Sequence, residues 1–148
     1  MVEVMYAPSD TLTLMAMAPY IKLAMDHRTR MGGSFTTATE GLGDVTLTAL
    51  YSAIGNVRRD RQRLIVHAGV SVPTGSIDER GTTPMGTDQK LPYAMQLGSG
   101  TYDLHPGVTY LGESVQWAWA ADGRGTLRLG VNDQGYRLGN GWQVSASL

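Results

Sequence analysis

The chain has 148 residues, one domain's worth, and its 12 basic side chains against 13 acidic ones give no electrostatic case for nucleic acid as a partner. It holds no cysteine, which excludes disulfide scaffolds, cysteine-rich zinc sites and thiol catalysis. Nineteen glycines against a single phenylalanine, with plentiful threonine, tyrosine and tryptophan, predict an all-β chain with many turns.

No apolar run approaches the roughly 20 residues of a transmembrane helix. The opening Met-Val-Glu-Val-Met-Tyr lacks the basic and apolar regions of a secretory leader. Strand-like patterns run up to both ends, which favours reading the chain as a mature or internal piece of a longer precursor. Residues 2–6 alternate and stop at the turn sequence Ala7-Pro-Ser-Asp10. Residues 11–26 read as a long extended segment: Pro19 and the opening Thr-Leu-Thr-Leu favour strand over helix. Residues 27–43 are polar and glycine-rich and are expected to form a loop.

Residues 44–54 alternate, with Val45, Leu47, Ala49, Tyr51 and Ala53 on one side; Leu50 and Ile54 break the pattern. After a charged turn at 55–62 comes the clearest strand. Leu64, Val66, Ala68, Val70 and Val72 face one way, and Arg63, Ile65, His67, Gly69 and Ser71 the other. Residues 74–99 are expected to form the longest loop. In the strand at 101–111, Tyr102, Leu104, Pro106, Val108 and Tyr110 oppose Asp103, His105, Gly107 and Thr109. A tight turn at 112–114 leads into a strand at 115–129, with Trp117 and Trp119 on the apolar face and Asp122, Arg124 and Arg128 on the other. A loop at 130–141 precedes a last strand that begins at Trp142.

About seven strands result, as an antiparallel up-and-down meander in one domain over residues 1–148. Three features favour an outer-membrane β-barrel, or part of one. Connections alternate short and long, as periplasmic turns and external loops do. One face carries charges that would be costly in a dry core but are ordinary in a wet lumen. Tyr102, Tyr110, Trp117, Trp119 and Trp142 sit near strand ends on the apolar face, as an interfacial girdle requires. Seven is an odd number, so a single-chain barrel of the usual bacterial kind needs more strands or more copies.

Four segments carry a resemblance: Glu40-Gly-Leu-Gly-Asp-Val-Thr-Leu-Thr-Ala-Leu-Tyr51, Gly69-Val-Ser-Val-Pro-Thr-Gly-Ser-Ile-Asp78, Leu91-Pro-Tyr-Ala-Met-Gln-Leu-Gly-Ser-Gly-Thr-Tyr-Asp103 and Asn132-Asp-Gln-Gly-Tyr-Arg-Leu-Gly139. From about residue 40 onward the chain resembles the transporter-like outer-membrane proteins grouped under the meta-pathway of phenol degradation. The resemblance implies a barrel of the Gram-negative envelope, a channel for small and hydrophobic compounds. It implies members that are longer and carry a signal peptide, and it supplies no catalytic residues.

The expected function is passive movement of a small-molecule solute through the outer membrane, in contact with its lipid. Asp103, His105, Asp122, Arg124, Arg128 and His67 are the candidate pore-lining residues. Arg124 and Arg128 against Asp122 and Asp103 form a charge ladder that tunes passage. No nucleophile elbow, His-Glu-x-x-His or phosphate loop occurs, so no enzyme and no cofactor are predicted. Eight methionines raise a Cu(I) reading for Met15, Met17, Met25, Met31, Met85 and Met95, against which stands flexible apolar filling or contact with lipid. Arg58, Arg59, Arg61 and Arg63 read as a solvated turn, with contact to a periplasmic partner as the minor reading. The rivals are a soluble β-sandwich or small-barrel binding module, a barrel enzyme working through Asp103 and His105, and a chain that self-associates through open strand edges.

Overall fold

A computed structural model of the chain describes residues 1–28, 32–55, 60–84 and 86–148. Eleven strands are described: β1 (Val2–Tyr6), β2 (Leu12–Ala18), β3 (Tyr20–Arg28), β4 (Ser34–Leu42), β5 (Val45–Ile54), β6 (Gln62–Val72), β7 (Arg80–Thr83), β8 (Gly86–Lys90), β9 (Tyr102–Glu113), β10 (Ala118–Leu129) and β11 (Gly141–Ser147). Seven of them form one sheet in the order β1-β2-β5-β6-β9-β10-β11, with every neighbouring pair antiparallel. It is the expected up-and-down meander. The strand around His67 lies at its centre.

Register keeps the two faces chemically separate. Val66 pairs with Tyr51 on one side and Val108 on the other, and Val70 pairs with Leu47 and Leu104. One outer face therefore runs apolar across the sheet. The two residues that break the alternation of β5 have different fates. A β-bulge between Ser52 and Ile54 brings Ile54 opposite Leu64, back onto the apolar face. Leu50 stays on the other face, opposite His67.

The burial pattern is inverted for a water-soluble domain. Val4, Leu14, Leu47, Val66, Val108 and Val144 on the outer face are all exposed. Among the described residues, the buried apolar side chains are Leu91, Met95 and Leu97, and they lie in the 74–99 segment rather than against the sheet. Soluble domains place such valines and leucines inside.

Several boundaries differ from those expected. The extended segment at 11–26 is two strands, split at Pro19, whose carbonyl accepts the Gly43 N–H at 2.9 Å. Most of the loop expected at 27–43 is strand: β4 pairs with β3 along its whole length as a separate hairpin. Its threonine-rich alternation has too little apolar contrast to register as a strand. The 74–99 segment is not irregular either, since it folds into the β7–β8 hairpin and a single 3-10 turn at Tyr93–Met95. β9 runs through Gly112 to Glu113, so the turn falls at 114–117 and takes Val115 and Trp117 out of the strand. Gly112 is a strand residue because its missing Cβ leaves room for the Trp119 indole packed on it. Gly125 makes the same room for Trp142. In both places an aromatic ring covers strand backbone that glycine leaves bare.

Candidate functional site

The polar face is built in cross-strand rows. One row reads Thr13, Leu50, His67, Gly107, Arg124 and Gln143; the next reads Met15, Thr48, Gly69 and His105. A third reads Met17, Thr46, Ser71, Asp103 and Arg128. Each histidine stands opposite a glycine. A Cβ on Gly69 would lie 3.1 Å from the His105 Cβ, and one on Gly107 would lie 3.4 Å from the His67 Nδ1. The two glycines thus leave the centre of the face low, and a hollow of about 720 Å³ opens there. Met15, Met17, Thr48, Leu50, His67, His105 and Arg124 are among its lining residues. Met15 and Met17 therefore lie on the polar face of the sheet, not on its apolar one.

The candidate charges are brought together as pairs. Arg124 Nε donates to Asp122 Oδ1 at 2.7 Å, and the Thr109 hydroxyl donates to Asp122 Oδ2 at 2.5 Å. Thr109 Oγ1 also lies 2.9 Å from His67 Nε2. Because the threonine hydrogen goes to the carboxylate, the imidazole must donate from Nε2, which leaves Nδ1 as the lone-pair nitrogen of neutral His67. His105 engages Thr126 through Nδ1 at 3.3 Å. Among the described residues it makes no hydrogen bond to Asp103, the partner its position two residues away suggested.

Asp103 is instead almost wholly buried, bonded to Arg128 Nη1 and accepting the Thr101 hydroxyl at 2.8 Å. The Arg128 Nε is buried without a partner among the described residues. This pair sits at the end of the sheet where the long connections lie, beneath a cap made by the 74–101 and 130–140 segments. Asp44 anchors the cap: its carboxylate accepts the Gly75 N–H at 2.9 Å, the Ser99 N–H at 2.7 Å and the Ser99 hydroxyl at 2.7 Å. Gly75 and Gly98 meet backbone to backbone, too close for any Cβ. Tyr93 donates to the Ser99 carbonyl at 2.5 Å, and the Asn132 amide reaches both Tyr93 Oη and that carbonyl. Burial pushes the Tyr93 phenol above its ordinary value, so it remains a donor well into the alkaline range. Thr39 ties the β3–β4 hairpin to the cap through the Met95 carbonyl at 2.8 Å.

The cap was not legible as a site. Asp44, Ser99, Thr101 and Asn132 lie in turn-forming, glycine-flanked stretches whose signal is local, whereas their partners are dozens of residues away. Arg58, Arg59, Met31 and Met85 lie outside the described residues. Met95 is buried in the cap.

Asp44→Ala removes one acceptor that serves three donors, two of them backbone N–H groups. The expected loss is about 2–4 kcal/mol of cap stability, from the usual cost of unsatisfied buried donors. Hydrogen exchange at Gly75 and Ser99 checks it: their amides should lose protection while those of β6 keep theirs. Equal protection in the variant would remove Asp44 as the anchor.

No curated protein matches the chain. The four segments that carried the family resemblance all contribute to one place, with Asp44, Thr74 and Gly75, Ser99 to Asp103, and Asn132 meeting in the cap network. With its match running over residues 4–148, nearly the whole chain, the protein belongs to the family described as "Putative MetA-pathway of phenol degradation".

Proposed function

We propose that the chain is wall and mouth of an outer-membrane β-barrel through which small molecules pass, without catalysing a reaction. The observation that carries this reading is the sidedness of one sheet: exposed valine and leucine on one face, arginine–aspartate pairs and histidines on the other. A lipid-embedded barrel wants that arrangement, apolar out and polar in. Aromatic residues support it. Tyr102 lies toward the capped end of the outer face and Tyr110 toward the short-turn end. Tyr102 and Tyr110 are separated by roughly 26 Å along β9 at about 3.3 Å per residue, which is about 20 Å of height at the usual strand tilt and falls within an apolar band about 25 Å tall. The family description ties the group to phenol degradation, and passage of small hydrophobic compounds fits such a pathway.

β1 and β11 each pair on one side only among the described residues, and seven alternating strands make these two edges run in the same direction. Antiparallel closure therefore takes an odd number of further strands. Purification without detergent, followed by size-exclusion chromatography with light scattering and far-ultraviolet circular dichroism, tests the reading. Aggregates that detergent converts into a β-rich species support it; a monodisperse β-rich monomer in plain buffer sinks it in favour of a soluble binding module. In planar bilayers, Arg124→Glu is expected to move ion selectivity toward cations, because it leaves Asp122 uncompensated. Unchanged selectivity would take Arg124 out of the passage.

A further inference from the structure

Charge is nearly fixed everywhere on the inner face of the seven-stranded sheet except at its centre. Glu3 on β1, Asp103 and Glu113 on β9 and Asp122 on β10 are its described carboxylates, against Arg63 on β6 and Arg124 and Arg128 on β10. The inner positions of β2, β5 and β11 bring only uncharged side chains, Met15, Met17, Thr46, Thr48, Leu50 and Gln143 among them. Four carboxylates thus stand against three guanidiniums, and the two imidazoles set the sign of the sum. His67 and His105 are diagonal neighbours across β6 and β9, and each keeps one nitrogen that makes no hydrogen bond among the described residues. Arg124 engages Asp122 through Nε and is one of the residues that line the hollow. Facing these donors across the same hollow are the apolar Met15, Met17 and Leu50.

We propose that this hollow is a seat for a small amphiphilic carboxylate, which Arg124 and the two imidazoles hold by its head and the methionines by its apolar body. The seat tightens as His67 and His105 take up protons. Neutral His67 presents Nδ1 as an acceptor, which repels a carboxylate oxygen; protonated, the same atom becomes a donor beside Arg124. Protonation of both imidazoles takes the described inner face from a net charge of −1 to +1. An uncharged molecule of the same size gains nothing from that change, and an amine is repelled.

The inference rests on the inner face being the wetted side of the sheet, but its test needs no conductance. The chain has three histidines, and the third, His27, lies in the β3–β4 hairpin, stacked on Phe35. Imidazole resonances of the full chain in detergent, assigned with the His→Gln variants, report the seat with its own internal control. Titration with hexanoate should shift His67 and His105 saturably and leave His27 in place, with affinity about tenfold higher at about pH 5.5 than at about pH 8. Hexan-1-ol and hexylamine should not reproduce the shifts. Arg124→Gln should weaken hexanoate at both pH values, and joint replacement of His67 and His105 by glutamine, read by calorimetry, should abolish the pH dependence. Equal movement of all three histidines, pH-independent affinity, or hexan-1-ol binding as well as hexanoate overturns the seat. A protein that conducts yet shows no saturable shift loses the seat and keeps the barrel; one that binds and does not conduct loses the passage alone.

Discussion

Asp103→Asn is expected to destabilise the folded chain by about 3–5 kcal/mol, the usual cost of breaking a buried ion pair from one side. The Asp103 side chain is 2% exposed and that of Arg128 21%, so neither can turn to bulk water without opening the cap. Removing the carboxylate charge leaves a guanidinium whose Nε already lacks a partner. Arg128→Met leaves the opposite charge stranded and should cost a similar amount. The joint change Asp103→Leu with Arg128→Met removes both charges and should recover most of the loss, because a buried pair gives little net stability over apolar residues of like volume. Urea unfolding of detergent-solubilised protein, followed by tryptophan fluorescence, supplies the cycle. If the two single changes each cost under about 1 kcal/mol and add in the double variant, the pair is solvated and the cap does not bury it. Circular dichroism should remain β-rich throughout, since Thr101, Asp103 and Arg128 hold the cap end of β9 and β10 and not the centre of the sheet.

The contrast between these residues and the outer face explains what the sequence made readable. A strand advertises itself by alternation, and β6 and β9 alternate cleanly because one side of each meets only apolar neighbours. The same pattern, read across β10, separated Asp122, Arg124 and Arg128 from Trp119 and Leu129 with the parity of the structure; register sets Arg128 opposite Asp103, and Arg124 meets Asp122 two residues away on the same strand. Alternation carries nothing about partners far along the chain. Asp44 reaches Ser99 and Thr39 reaches Met95 across more than fifty residues, so no window of sequence holds the cap. The same limit hid β4, where threonine, serine and glycine occupy both faces and the hairpin's partner is β3 rather than the main sheet. Parity also fails at a bulge. Ile54 was read as an interruption, and one extra residue in β5 returned it to the apolar face.

Val66→Arg is expected to cost about 2–4 kcal/mol if the outer face meets lipid, the penalty for a basic residue near the middle of a lipid-facing strand. In water the same change should fall within about 1 kcal/mol, because Val66 is exposed on the sheet surface and arginine loses little there beyond strand propensity. The two environments thus predict different magnitudes for one substitution, and the position is chosen to separate them. Val66 lies midway along β6, paired with Tyr51 and Val108, while Tyr102 and Tyr110 lie toward the two ends of the neighbouring β9. Gln143→Arg on the inner face of β11 is the matched control, and should stay within about 0.5 kcal/mol in either medium. Refolding into lipid vesicles at increasing urea measures both variants against the parent chain. A Val66→Arg cost no larger than that of Gln143→Arg would place the outer face in water, and the exposed valines would then need a covering protein partner instead of a membrane. A cost several times larger at Val66 alone would assign the apolar face to the acyl chains, and with it the histidines and arginine pairs to the lumen.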